Sequence, residues 1–254
     1  MLFIYFLEVI RQGVTLWATG ENPLFFSIDR NNHSMITMLL FSSITKKVLM
    51  ALAGLFLVTF LCVHLGINLM LLKDDGGRSF SEAATFMGTN PLIKVFEIVL
   101  FAGFLLHILF GLLVSAQNRA ARPKGYTCGN SSETSFFSKY MFHTGIIVFI
   151  FLVLHFIDFY FIKVGIVAPP PGIESHDFYH RTLLLFSTPL YSLLYIISFL
   201  FLGIHLNHAI QSGFQTLGWN HSKYMDAVKF IGSAYSVFIA VGFSVIPIYL
   251  LLFK

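Results

Sequence analysis

Charge and cysteine are what this sequence has least of. Of its 254 residues only 11% are Asp, Glu, Lys or Arg, and it holds 2 cysteines and 2 tryptophans. A soluble domain carries about 25% charged residues, so this share excludes a chain that covers itself with a solvated surface. Two cysteines exclude a disulfide scaffold. Cys62 lies in a long apolar stretch and Cys128 in a connecting segment, so a bridge between them would have to join two depths. The formal net charge is +4 and the pI about 9.0, yet no basic run is interleaved with aromatics, which excludes a nucleic-acid surface.

What the sequence has in quantity is apolar: 56% of residues are hydrophobic and 30 are Phe. Crossing a hydrocarbon core takes about 20 helical residues. Five segments meet that length, at 49–72, 95–116, 140–162, 189–211 and 228–253, and no sixth competes. The prediction is an all-α integral membrane bundle of five transmembrane helices over residues 42–254. Residues 1–41 are set apart as an N-terminal extension: either a surface helix over 1–11, or an overlong start with the native one near Met35 or Met38. The extension does not read as a signal peptide, having no small-residue cleavage site after a basic start.

Between the first and second spans the spacing predicts a short surface helix over 80–87, capped by Ser79 or Ser81. Pro169, Pro170 and Pro171 break the chain after the third span, and the polar segment 174–181 follows. Lys and Arg near helix ends are slightly more numerous on the side that begins with Lys46 and Lys47, eight against six, which places the N-terminus in the cytoplasm.

One ionisable side chain in each of four spans is the main functional signal: His64, His107, His155 and His205. Such residues are rare within a bilayer and face the bundle interior. His64 is 17 residues past Lys47 and His155 is 16 past Lys139, which puts both about 25 Å up at 1.5 Å per residue. His107 lies 12 residues before Arg119, about 18 Å above the same side, and His205 precedes the Gly218-Trp219 turn by a similar length. Depth therefore pairs His64 with His155, and His107 with His205. Two imidazoles at one depth suit a hexacoordinate haem, which transfers electrons and leaves no open site for oxygen. Two haems would use all four. Neither cysteine stands in a Cys-x-x-Cys-His run, so both haems are of the non-covalent b kind. Zinc fits less well, since its ligands gather at one point.

Other residues carry two readings each. His208 shares a face with His205 and is an alternative ligand; His143, near the start of the third span, is an alternative to His155 or a propionate contact. Gly103 and Gly111 flank His107 by four residues on its own face, leaving room for a macrocycle or for close helix contact. Lys46 and Lys47 either pair with propionates or anchor the helix at the interface. Glu97 and Asp158 either relay protons for a quinone or snorkel to the interface. His33, His176, His180 and His221 sit in polar segments and read as solvated.

The order of these motifs resembles a known family. Ser42-Ser43-Ile44-Thr45-Lys46-Lys47, then Met50-Ala51-Leu52-Ala53-Gly54-Leu55-Phe56 and His64-Leu65-Gly66-Ile67-Asn68-Leu69, is similar to the first helix of the succinate dehydrogenase cytochrome b558 family. So are residues 80–87 leading into Phe96-Glu97-Ile98 and His107, the stretch from Thr144-Gly145 to His155, and His205-Leu206-Asn207-His208 with Phe214-Gln215-Thr216-Leu217-Gly218. The resemblance covers residues 42–254; residues 1–41 depart from it, and the fourth span holds no acidic residue. It implies the single-chain anchor of a succinate dehydrogenase or fumarate reductase in the bacterial inner membrane. By that similarity His64 and His155 hold an outer haem b and His107 and His205 an inner one. Electrons pass between a flavoprotein and iron-sulfur partner and a quinone, commonly menaquinone. Two other readings stay open: the cytochrome b subunit of a quinone-linked hydrogenase or formate dehydrogenase, and a haem-free transporter whose histidines line a path.

Overall fold

A backbone in hydrocarbon has no water to bond, so its N–H and C=O groups must pair within the segment, and helices result. The computed structural model describes residues 42–120 and 136–254. The expectations for residues 1–41 and for Cys128 lie outside the described residues; Cys62 is a free, exposed thiol. Helix α1 spans Ser43–Asn68 and tightens into a 3-10 turn at Leu69–Leu72. Then follow α2 (Arg78–Thr89), α3 (Pro91–Ala120) and α4 (Phe136–His155). α4 continues through a π-helical turn, Phe156–Tyr160, and a last turn, Phe161–Lys163. The remaining helices are α5 (Phe178–Phe186), α6 (Pro189–Thr216) and α7 (Ser222–Phe253).

Among the described residues five helical stretches are long and apolar enough to cross a membrane: Ile44–Leu72, Pro91–Ala120, Tyr140–Lys163, Pro189–Thr216 and Ser222–Phe253. The chain is an all-α, multi-pass membrane protein. Several spans run a turn or more beyond the apolar segments of the sequence, because a helix does not stop where hydrocarbon gives way to headgroups. The chain divides into two compact units, Met1–Lys47 and Val48–Lys254. Of the first, the described part is the start of α1, where Ser42 Oγ accepts the Thr45 N–H at 3.1 Å.

Within the second unit the helices stop and start at local signals. Asn90 Oδ1 accepts the N–H groups of Leu92 (2.9 Å) and Ile93 (3.4 Å), with Pro91 opening α3. Gly218, at φ +87°, turns the chain between α6 and α7. The cap of α2 differs from expectation. Neither Ser79 nor Ser81 caps it; Asp75 does, accepting the Gly77 N–H and the Ser79 N–H, both at 3.1 Å. An Asp two residues before the turn reaches these donors once Gly77 takes φ +81°, and a Cβ there would collide with the Tyr179 ring. The polar segment 174–181 also gains structure. Asp177 caps α5, its Oδ1 accepting the His180 N–H (3.1 Å) and its Oδ2 the His180 Nδ1 (2.7 Å).

Both capping carboxyls are held below the ordinary carboxylate value. For Asp75 the Ser79 hydroxyl does this first, with the backbone N–H groups of Ser79 and Gly77 beside it. For Asp177 burial pushes upward, but the hydrogen bonds from His180 outweigh it. A depressed carboxyl contributes stability above its unfolded pKa and loses it as pH falls through the folded value. The first turns of α2 and α5 are thus expected to fray in strong acid, as the pH falls below the ordinary carboxylate range, before the spans respond. Amide hydrogen exchange across falling pH checks this, and Asp75→Asn should remove the acid dependence from α2.

Lys254 Nζ binds Asp74 at 2.8 Å, so α2, α5 and the end of α7 share one end of the bundle, called here the α2 end. Backbones pack closest between α6 and α7 and between α4 and α6. A small residue allows the first: a Cβ on Gly203 would lie 2.8 Å from Ala240 Cβ, while on the α1 side of α7 one on Gly242 would lie 2.7 Å from Leu65 Cδ2. The core between them holds Leu65, Tyr195, Leu206, Ile239, Phe243 and Ile246. The opposite faces expose Leu, Ile, Val and Phe, as Val95, Ile98 and Val99 do on α3, which only a lipid environment tolerates at this density.

Candidate functional site

Helical pitch sets the level of each histidine before any packing is considered. His64 and His155 each lie eight residues from the α2-end limits of their spans, Leu72 and Lys163, while His107 and His205 each lie sixteen from theirs, Pro91 and Pro189. The two levels are therefore about 12 Å apart at 1.5 Å per residue. Packing then turns the rings inward. The His64 and His155 rings stand 5.9 Å apart at 82°, and those of His107 and His205 stand 6.4 Å apart at 90°. The depth arithmetic and the ring contacts select the same partners. Between the levels lie Phe60, stacked on His64 at 5.3 Å, and Phe104, set edge-on to Phe60 at 6.3 Å.

Two glycines give the second pair its room. A Cβ on Gly54 would come within 3.1 Å of His107 Cε1, and one on Gly145 within 3.3 Å of His205 Cε1. Neither glycine neighbours its histidine in sequence. Gly54 is ten residues before His64 on α1, and Gly145 ten before His155 on α4. Each of these helices thus supplies an imidazole to one level and a bare backbone to the other. One turn earlier on each helix stands a methionine carbonyl: Met50 O lies 3.2 Å from His107 Nδ1, and the Met141 backbone acts on the His205 ring. Thr144 Oγ1, which donates to Met141 O at 2.9 Å, also lies 3.4 Å from His205 Nδ1. A carbonyl against Nδ1 makes that nitrogen the N–H donor, so Nε2 carries the lone pair. The signal for this was present as Met-x3-Gly-x9-His, once in each helix, and the sequence reading passed over it.

The first pair is enclosed by rings. His155 meets Phe159 at 5.1 Å, Phe151 at 6.0 Å and Tyr195 at 6.4 Å, while Phe243 lies 5.7 Å from His64. His155 is the last α-helical residue before the π turn, a distortion that gathers at functional sites. Its Nδ1 is buried without a hydrogen-bond partner among the described residues. Such an orphan costs about 1–3 kcal/mol and points to a ligand beyond the protein's own atoms.

The other residues singled out in the sequence fall elsewhere. Gly103 and Gly111 face α1: a Cβ on Gly103 would lie 3.2 Å from the Phe56 ring and one on Gly111 3.8 Å from Met50 Sδ, which is helix contact. His143 is exposed and lies against Tyr140 and Phe142, away from His64. His208 is half-buried near His205, but His205 is the ring that meets His107. Lys46 and Lys47 belong to the first unit, where Lys46 is buried and Lys47 exposed. Glu97 is bound by Lys94 (3.1 Å) and Lys163 (3.6 Å) and bonds Tyr160. Asp158 accepts the Tyr195 hydroxyl at 2.6 Å, one contact from the His155 ring. His176, His180 and His221 are exposed.

The donor set decides what group these pairs fit. Two metal–imidazole bonds of about 2 Å, with the half-width of each ring, put ring centres roughly 6 Å apart. Both pairs have that spacing. No cluster of three or more His, Cys, Asp or Glu occurs among the described residues, so each pair offers two protein ligands where structural zinc takes four. A planar tetrapyrrole supplies its own four nitrogens and asks the protein for two. Comparison of the chain with protein-family models, with curated proteins and with solved structures finds no match.

Proposed function

We propose that this protein is a di-haem cytochrome b that carries electrons across a membrane, His64 and His155 holding one haem b and His107 and His205 the other. The observation that carries the reading is the double pairing: four histidines from four spans meet two by two, at two levels, with rings about one bis-imidazole spacing apart. A haem held by these imidazoles would supply reversible one-electron storage. The chain's own residues do the rest. The Met50 and Met141 carbonyls fix the imidazole tautomer, Gly54 and Gly145 clear the space, and the rings of Phe60 and Phe104 keep water from the interval between the levels.

With the motif order of the cytochrome b558 family, the fuller reading is the membrane anchor of a bacterial succinate dehydrogenase or fumarate reductase. The iron-sulfur subunit would dock at the end remote from α2, and quinone would react near the His64–His155 level. Asp158, held by Tyr195, is the carboxylate placed to exchange a proton there; Glu97, tied to two lysines, is less free to do so.

The test is direct. Purified protein is expected to hold two b haems per chain. Because the paired imidazole rings stand nearly perpendicular, a ferric haem held by either pair would be expected to give a strongly anisotropic low-spin resonance signal. One haem per chain, or none, would sink the proposal. Covalent flavin in a copurifying subunit supports the succinate reading, whereas nickel or molybdenum there would move the protein to a hydrogenase or formate dehydrogenase.

A further inference from the structure

Arg181, in the second turn of α5, is the buried cation that neither the spans nor the helix caps account for. Its side chain is only 3% exposed. Its guanidinium donates to three backbone carbonyls: Nη1 to Phe159 O (3.3 Å), and Nη2 to Glu174 O (3.2 Å) and Ser175 O (2.8 Å). Nε is buried with no acceptor among the described residues. No carboxylate among the described residues forms an ion pair with it; Asp177, whose charge acts on it from a distance, is bound to His180. The Phe178 ring lies 5.4 Å away. A guanidinium stays charged under all ordinary conditions, and burying one without an ion-pair partner is costly. A staple between the 174–175 loop and the π turn would need only a neutral donor, so the charge requires another reason.

Its position supplies one. Phe159, whose carbonyl it binds, lays its ring 5.1 Å from the His155 ring. Arg181 is thus one residue removed from the first histidine pair, behind a wall of aromatic side chains. Charges act further in such low-dielectric surroundings than in water. Reducing a ferric centre adds an electron, and a fixed positive charge favours the reduced form.

We propose that Arg181 is an electrostatic positioning residue for the His64–His155 centre, raising the reduction potential of that haem selectively over the other. This rests on the di-haem reading. It calls for no direct contact between Arg181 and the ligand, and it separates charge from stapling: Arg181→Lys keeps the first and loses most of the second, while Arg181→Gln keeps donors and loses the charge.

Optical redox titration of membranes holding the full complex resolves the two components. Arg181→Gln is expected to lower one potential by about 59 mV, a tenfold change in a one-electron equilibrium, leaving the component that His107→Ala removes unshifted. Arg181→Lys should hold both potentials near the parent values, although both variants melt earlier. If lysine and glutamine shift the potential equally, or neither shifts it, Arg181 is a staple and the inference is overturned. Should the glutamine variant fail to assemble, Arg181→His carries the same test. The affected potential must then gain a pH-dependent step absent from the parent, and its absence counts against the charge. Two haems with unshifted potentials overturn this inference alone, whereas membranes with no reducible b-type signal overturn it together with the proposed function.

Discussion

His107→Ala is expected to reduce haem from two per chain to one and to release the soluble partners more readily than His64→Ala, which should also lose one haem. The reasoning begins with the ligands. Each ring pair takes one imidazole from each of two helices, so on the di-haem proposal removing either ring would take away one of the two ligands and untie two spans at that level. His205→Ala should match His107→Ala, and His155→Ala should match His64→Ala, because each pair fails as a unit. The difference between pairs comes from position. The His107–His205 level lies sixteen residues from the α2-end limits of its spans, the other level eight, so its loss is felt nearer the end where an iron-sulfur subunit would dock. His143→Ala and His208→Ala are expected to keep both haems, since His143 is exposed and His208 lies outside the ring pair. Haem per chain by pyridine haemochromogen, with the subunits that copurify, checks all six variants. Full haem content after any of the four axial substitutions would revive a haem-free transporter, and equal partner loss from both levels would refute the ordering.

Gly54→Leu and Gly145→Leu are each expected to abolish the His107–His205 centre while sparing the other. The first carbon of a new side chain would already stand 3.1 Å from His107 Cε1 or 3.3 Å from His205 Cε1. The atoms beyond it have nowhere to go except the space between the rings. Packed interiors answer such overfilling by moving rings or backbone, typically at 1–3 kcal/mol and sometimes more. A ring displaced by a fraction of an ångström also leaves its carbonyl partner, Met50 O or Met141 O, and with it the tautomer that presents Nε2. Gly66→Leu is the control, since a Cβ there meets nothing within 4 Å. The spectrum of each variant decides: loss of one component for Gly54 and Gly145, loss of none for Gly66. An unchanged two-haem spectrum in Gly54→Leu would show that the ring does not sit against α1 in the membrane.

The contrast between Gly54 and Gly103 explains what a sequence reading could and could not reach. Gly103 lies four residues from His107 on the same helix, so local periodicity singled it out, yet its neighbour across the interface is Phe56. Gly54 is 53 residues from His107 in sequence, and only the rotation of α1 against α3 brings them together. The caps show the same division on a smaller scale. Ser79 and Ser81 were the nearest side chains of the right kind, but Asp75 reaches the donors once Gly77 adopts a left-handed turn under the Tyr179 ring. Arg181 read as one more basic residue in a polar loop. Its burial appears when α5 forms and lies over the π turn after His155.

The sequence by itself determined that this chain crosses a membrane on helices, with five such spans among the described residues, and at what height each span histidine lies. Hydrocarbon thickness fixes a span length, and helical rise converts residue number into height, so neither quantity depends on neighbours. Tertiary structure alone decided which way each helix faces. It chose the glycines that admit the rings, the carbonyls that hold them, the near-perpendicular ring planes and the buried charge behind His155. Rotation about a helix axis costs an isolated apolar helix almost nothing in lipid, so it is set by the sum of many small contacts between helices, above all where glycine lets two backbones or a ring come close.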